Sequence, residues 1–600
     1  MSRVVLVVCA LCFPLAINAQ KKPTVAKSSL CTRDNAIDTT KQQILLTRTF
    51  DNQVHRIAVL IRAADLLWPQ DQEKALAAFV EAFDVAVQNF KENGDQVART
   101  SQSQFAARIS LPDQRFKVIA ALAKRDPARA RKLSAQMLED DAREVADKPA
   151  TDDQAKRRTA EKLLITAHGL LATDPPNAVN FARESLRYPA VLQLAVFLYE
   201  LAKSNRQLAN QFYVEAINAY GAAPMDQFLY LSAYPFGNTR DAGQMPGYTF
   251  YKIHEGFAPD RGLQKLFMQT LLTRIEGAMQ TPVPEVPSYR YTDHAQMWMA
   301  LSRLEKQVQS ELPELSESVT QSKDKLFALL NPPAQKNVTG VISIDNSPKK
   351  SFDERVEAAE KLTDVPRRDQ ELSFAVTGAS KDLPLDRVLS VIDKISDADV
   401  RSSLSNWFYY FRAQSLIEDK HLAEARTSAN HVADLDKRAF LYTRIAEESL
   451  KVAEDQTEAR EALNEVADAI SKAPKTIVTA RALLALAHLY AKFDMNRGIT
   501  ELANAVRTIN AIESPDFSQQ FVMMKIEGKT FGSFASVQTP GFNPENAFRE
   551  MGKLDFDGSL TQAATFTDKS LRALTTLAVI EPCLEPQKGT KSTKSTKKNE

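Results

Sequence analysis

Glycine is scarce in this chain, 18 in 600 residues, and cysteine scarcer, 4 in all. Little glycine beside abundant Ala, Leu, Glu and Lys disfavours β-sandwiches and favours helices. Net charge is almost absent, with 76 Lys and Arg against 75 Asp and Glu, which argues against a dedicated nucleic-acid binder. Past the first twenty residues no segment is long and apolar enough to span a bilayer. There is no His-x-x-x-His pair and no cysteine cluster, and the histidines at 55, 168, 254, 294, 421, 431 and 488 are mostly single residues on expected helices. A dedicated zinc site is therefore not expected.

The first residues carry one charge, Arg3, then an apolar run from Val4 to Ile17 and the small-residue site Ile17-Asn18-Ala19. This is the pattern of a secretory signal peptide, with cleavage expected after Ala19. Val8 and Leu11 are too large for lipoprotein cleavage ahead of Cys9 or Cys12. The expectation is an exported chain, periplasmic or secreted, with no transmembrane segment. Removal of the signal leaves Cys31 and Cys583. In an oxidising compartment two such cysteines form an intramolecular bond, remain separate thiols, or link two molecules, and the first alternative is favoured.

What the chain has in quantity is helical periodicity. Apolar residues recur at i, i+3, i+4 and i+7, interrupted every dozen or so positions by a short polar turn. Ala58, Ile61, Leu66 and Leu67 line one helix, Trp68-Pro69-Gln70-Asp71 breaks it, and Ala75, Ala78, Phe79 and Ala82 line the next. Phe116 to Leu138 repeats the plan around Arg125-Asp126-Pro127, Leu163 to Leu186 around Thr173-Asp174-Pro175-Pro176, and Val191 to Tyr220 is a fourth pair. Glu424-Ala425-Arg426 and Glu458-Ala459-Arg460 recur 34 residues apart, and Ala482 to Ile509 continues the series. Asp-x-Arg stands ahead of three apolar helices, at Asp113 to Arg115, Asp399 to Arg401 and Asp436 to Arg438. There the Asp is expected to cap the helix and the Arg to pair with a neighbouring acid.

With this period and with small residues at the helix crossings, the chain resembles the tetratricopeptide-like superfamily of helical repeats over roughly residues 55 to 220 and 350 to 512. The family's usual Trp, Gly and Tyr of the first helix are absent, so the broader label is α-solenoid. The resemblance implies protein or peptide binding on a concave face and transfers no site residues.

The expected fold is mainly α, an α-solenoid of helical hairpins with a small C-terminal β-containing cap. A signal peptide (1–19) and an N-terminal segment (20–54) precede a repeat region over 55–280, which carries an irregular insertion at 221–262. A strap with Pro282, Pro284 and Pro287, a long helix and a linker fill 281–351, and 334–351 is the expected boundary between two solenoid halves. A second repeat region covers 352–514 and a mixed cap 515–586, with β-rich segments at 521–526, 531–537 and 554–566. The lysine-rich tail 587–600 is expected to be disordered.

Catalytic motifs do not hold up. His254-Glu255 lacks the second histidine of a metalloprotease helix, and Gly528-Lys529-Thr530 lacks the first glycine of a phosphate-binding loop, whose place is taken by Met523. Ser322 to Lys325 fits Ser-x-x-Lys without its companion motifs. No catalytic residue, metal site or cofactor is assigned. One run remains: Trp407, Phe408, Tyr409, Tyr410 and Phe411, followed by Arg412. Five consecutive aromatics circle a helix, so either the helix is buried between two neighbours or some rings line a binding groove. Trp407, Tyr409, Tyr410 and Arg412 are the partner-binding candidates there. On the insertion, Tyr230, Tyr234, Phe236, Tyr248, Phe250 and Tyr251 form a second aromatic region, from which Tyr234, Phe236 and Tyr251 are candidates. The reading is a non-catalytic exported protein that binds a protein or peptide. The alternatives are an envelope-associated structural protein whose tail, Lys588 to Lys598, touches anionic surfaces, and an enzyme with a site in the insertion or cap.

Overall fold

A computed structural model describes residues 28, 30–94, 113–146, 153–237, 253–254, 256–284, 291–346, 350–381, 383–451, 456–517, 521–528, 532–539 and 542–585. The signal segment, the tail and Tyr248, Phe250 and Tyr251 lie outside them.

Short polar breaks start helices because their Asp or Asn side chains satisfy backbone N–H groups that have no partner inside the helix. Asn52 accepts from Val54 and His55 ahead of the helix Gln53–Leu67, and Asp71 accepts from Lys74 ahead of Gln72–Asn93. Asp174 does the same for Pro175–Ser185, where the prolines occupy the first turn that needs no donor. Asn205 heads Arg206–Tyr220, and Asp494 heads Met495–Asn510. Successive helices then lie against each other as hairpins. Gln53–Leu67 packs on Gln72–Asn93, Asp153–His168 on Pro175–Ser185, Leu192–Ser204 on Arg206–Tyr220, and Ile477–Tyr490 on Met495–Asn510.

The chain divides into two units, a larger one of residues 39–401 with 528–531, and a smaller one of 1–38, 402–527 and 532–600. Each is a stack of helical hairpins. The larger holds a continuous apolar core from Ile57 to Val338. In the smaller, Ala425 and Ala459 are fully buried. The helix Ile477–Tyr490 buries Ala480 and nearly every residue from Ala482 to Tyr490, so it is covered on most of its faces. Its neighbour comes unusually close at Gly498, where a Cβ would stand 2.8 Å from the Ala491 Cβ and 2.9 Å from its backbone N and Cα. The smaller unit also contains the antiparallel hairpin Phe521–Glu527 and Gly532–Gln538, in which Met524 opposes Ala535. Val522, Met524 and Ile526 are buried in the alternation a one-sided strand demands. The hairpin and the helices after it form the β-containing cap.

Four details depart from the sequence reading. The long helix expected after residue 292 is two, Asp293–Glu311 and Ser316–Leu329, because Pro313 between them has no N–H and its ring obstructs a continuing helix. The linker expected at 334–351 is mostly the helix Pro332–Asn346. Asn331 caps it, Gln335 Nε2 donates to the Phe327 and Leu330 carbonyls, and Val338 is fully buried. The division into units falls instead between 401 and 402. The β-rich reading of 554–566 gives way to the helices Pro544–Leu554 and Phe556–Ala564, the second capped by Asp555 onto the Gly558 N–H.

The fourth departure concerns Asp-x-Arg. At Asp113 the expectation holds, since it caps Gln114–Ala123 through the Arg115 N–H. At the other two sites the register is two residues off. Asp397 accepts from the Asp399 N–H, while Asp399 and Asp436 already lie in the first helical turn. Among the described residues Arg401 and Arg438 pair with no acid; each donates back to a backbone carbonyl six residues earlier, Ile395 and Val432. Arg572 makes the same return to the Phe566 carbonyl. The recurring device is thus an apolar residue, an Asp two positions on, and an Arg four beyond it.

Candidate functional site

The helix Ala398–Glu418 carries the aromatic run. A helix turns about 100° per residue, so consecutive rings face different surroundings. Tyr410 is fully buried, and burial pushes its phenol above the ordinary value. Tyr409 is 9% exposed and stacks on His431, with ring centroids 4.4 Å apart and planes 16° apart. Both rings are core, not groove. Trp407, Phe408, Phe411 and Arg412 are half-buried. Trp407 and Phe411, one turn apart, touch with centroids 4.9 Å apart. Of the four candidates on this helix, Trp407 and Arg412 keep accessible surface, and Phe408 and Phe411 join them.

Of the insertion aromatics, Tyr234 and Phe236 end up inside. Tyr234 and Phe236 lie on the helical turn Ala233–Phe236, 2% and 1% exposed. Tyr234 packs against Tyr199, Tyr213 and Phe257 at 5.5 to 5.6 Å between centroids, and its hydroxyl donates to Asn210 Oδ1 at 2.8 Å. Burial raises its phenol to about 12. Phe236 meets Phe267 at 6.0 Å. Neither ring is placed to meet a partner, and Tyr251 lies outside the described residues.

Consecutive hairpins in the smaller unit are joined by the recurring Glu-Ala-Arg segments. Arg426 donates to Glu461 at 2.8 Å and to Glu465 at 2.9 Å on the helix Gln456–Ser471. Thirty-four residues on, Arg460 reaches Asp494 at 3.5 Å, the cap of the following hairpin's second helix. Tyrosines repeat the pattern: Tyr442 bridges Asn430 and Glu465, and Tyr490 donates to Asn464 at 2.6 Å. The alanine at the centre of each segment is buried at the crossing, so the arginine beside it points along the stack.

In the larger unit a dense polar cluster is buried. Asp113 and Arg115 are 2% and 4% exposed. Arg115 makes a two-point contact with Asp141 at 2.7 and 3.0 Å, donates to both oxygens of Asp113, and lies 3.4 Å over the Phe90 ring. Lys162 reaches Asp113 at 3.3 Å. Burial works against ionisation of Asp113, but hydrogen bonds from Arg115 and the charge of Lys162 outweigh it and hold the carboxyl below its usual range. Two acids and two bases thus tie together three helices of the stack.

Among the described residues no group of three or more His, Cys, Asp and Glu side chains is arranged to hold a metal. Among them also, no helix is long and apolar enough to cross a membrane. Cys31 and Cys583 are joined by a disulfide.

No known protein-family model matches the sequence, and no curated protein matches it either. Among solved structures the chain aligns with a "circular tandem repeat protein with novel repeat topology and enhanced subunit contact surfaces". The two share 11% identity over 91% of this chain and 97% of that one, with a TM-score of 0.13. A likeness that slight transfers neither fold nor function.

Proposed function

We propose that the chain is an exported, tetratricopeptide-like repeat protein that binds a protein or peptide partner and has no catalytic activity of its own. The observation that carries the binding reading is the partly exposed set Trp407, Phe408, Phe411 and Arg412 on one helix of a repeat stack. Aromatic and arginine side chains with remaining surface are the residue types that concentrate binding energy at protein interfaces. Export is supported by the signal-like residues 1–19 and by the Cys31–Cys583 disulfide, which suits an oxidising compartment.

Affinity capture from envelope extract with residues 20–600 tests this, using the wild type and the double variant Trp407→Ala, Arg412→Ala. The reading expects a stoichiometric polypeptide retained by the wild type and lost by the variant while the helical circular dichroism is unchanged. Sedimentation with cell wall or lipid that ignores both substitutions overturns it in favour of a structural envelope protein.

A further inference from the structure

A cleft of about 190 Å³ opens in the smaller unit between the helices Leu435–Ser449 and Ile477–Tyr490. Its charged wall is a single stripe, Arg444, Glu447, Glu448 and Lys451, spaced as neighbours along a helical face. The stripe is neutral in sum but carries both signs. Lys451 is committed to Glu448 at 2.5 Å, whereas Arg444 and Glu447 stand 3.7 Å apart with about two-fifths of each side chain exposed. That pair is loose enough for each member to engage a ligand.

The facing wall is largely apolar, with Ala485 and Leu489 on the second helix and Phe542, whose ring meets Phe440 of the first helix edge to face at 6.0 Å. Among the described residues two polar atoms on the cleft have no hydrogen-bond partner: Oγ1 of Thr539, a residue 2% exposed, and Nδ1 of His488. Leaving such atoms buried and unpaired costs free energy that a ligand's polar group would recover. Burial, aided by Lys492, lowers the His488 imidazole to about 4, so the ring is neutral at physiological pH and offers a hydrogen bond without a charge.

We propose that this cleft binds a free α-amino acid with an apolar side chain. The ammonium and carboxylate match Glu447 and Arg444, the side chain lies against Leu489 and the phenylalanines, and Thr539 and His488 complete the hydrogen bonding of the polar end. A neutral lining with both signs disfavours a net anion or net cation. The volume is a little above the ~150 Å³ of a cavity that holds a benzene-sized ligand, which suits one apolar side chain. The site is independent of the partner surface around Trp407.

Equilibrium dialysis of residues 20–600 with radiolabelled L-leucine, L-valine and L-methionine is the test. Saturable binding of at least one is expected, weakened by about tenfold or more in Arg444→Ala and in Glu447→Gln. These residues are surface-facing, and unchanged thermal unfolding checks that each variant is folded. Isovalerate and isoamylamine, which each lack one of leucine's charges, are expected to compete about tenfold or more less well than leucine. Absence of saturable binding to all three amino acids up to about 10 mM overturns the proposal. So does equal competition by either single-charge analogue, or binding that both substitutions leave intact.

Discussion

Cys31 and Cys583, 552 positions apart in sequence, are joined by a disulfide with their Cα atoms 5.3 Å apart. The bond lies within the smaller unit and fastens the N-terminal stretch to the last helix, Lys569–Leu584. Ser28 supports it by donating to Asp557 at 2.7 Å. Non-reducing peptide mapping of the exported protein should return the two cysteines in one linked peptide pair from a monomer, and two alkylatable thiols would refute it. Closing so long a loop removes nominally about 6 kcal/mol of unfolded-chain entropy, of which about 2 to 5 is usually realised, so Cys583→Ser should lower the smaller unit's stability by that amount.

Ala425 and Ala459 sit at equivalent crossings with no exposed surface. Adding a leucine side chain at either requires neighbouring helices to move apart, and each substitution should cost about 1 to 3 kcal/mol in urea unfolding. Gly498→Ala should fall in the same range, since its Cβ would meet backbone atoms of Ala491 and not a flexible side-chain end. Silent substitutions at both alanines would show that the 34-residue register is misplaced.

The Asp113 carboxyl is held below its ordinary value of 3.8, so its ionised form favours the folded state. That contribution is complete above the unfolded value and is lost as pH falls through the lower folded value. At pH 7, Asp113→Asn should cost about 3 to 5 kcal/mol because Arg115 and Lys162 lose their buried counter-charge. By about pH 3 the gap between variant and wild type should narrow, since the unfolded wild-type chain, with its ordinary value of 3.8, then takes up the proton that the folded carboxyl still resists. Denaturant unfolding at the two pH values reads this directly, and a gap independent of pH would remove Asp113 from the acid limb.

Tyr410 and Trp407 should separate cleanly. Tyr410→Ala empties a fully buried site and should cost about 3 to 5 kcal/mol of stability. Trp407→Ala removes a half-buried ring and should leave the melting temperature nearly unchanged while lowering partner affinity. A large stability loss at Trp407 would make that ring core as well.

The sequence by itself determined most of the helices, most of their breaks and the β-hairpin, because those depend on neighbours in the chain. Asp71 and Asp174 cap the helices that follow them, prolines stand in the first turn, and Val522, Met524 and Ile526 alternate whatever lies opposite. The 34-residue recurrence was legible for the same reason. Pro313 carried a signal that should have split the long helix, and an apolar residue followed at two positions by Asp and at six by Arg would have found the register at Ile395 and Val432. Tertiary structure alone decided which aromatics are covered. Five rings circle one helix, and only the helices beside it choose Tyr410 for the core and leave Trp407 half-open; Tyr234 and Phe236 look like loop aromatics until Tyr199, Tyr213 and Phe267 enclose them. It also decided that Arg115, with one acid two residues away, would be balanced by Asp141, that Cys31 would meet Cys583, and that Arg444, His488 and Thr539 would face a single cleft. Each of these is set by chain segments far apart in sequence, and local preference carries no information about which distant segment arrives.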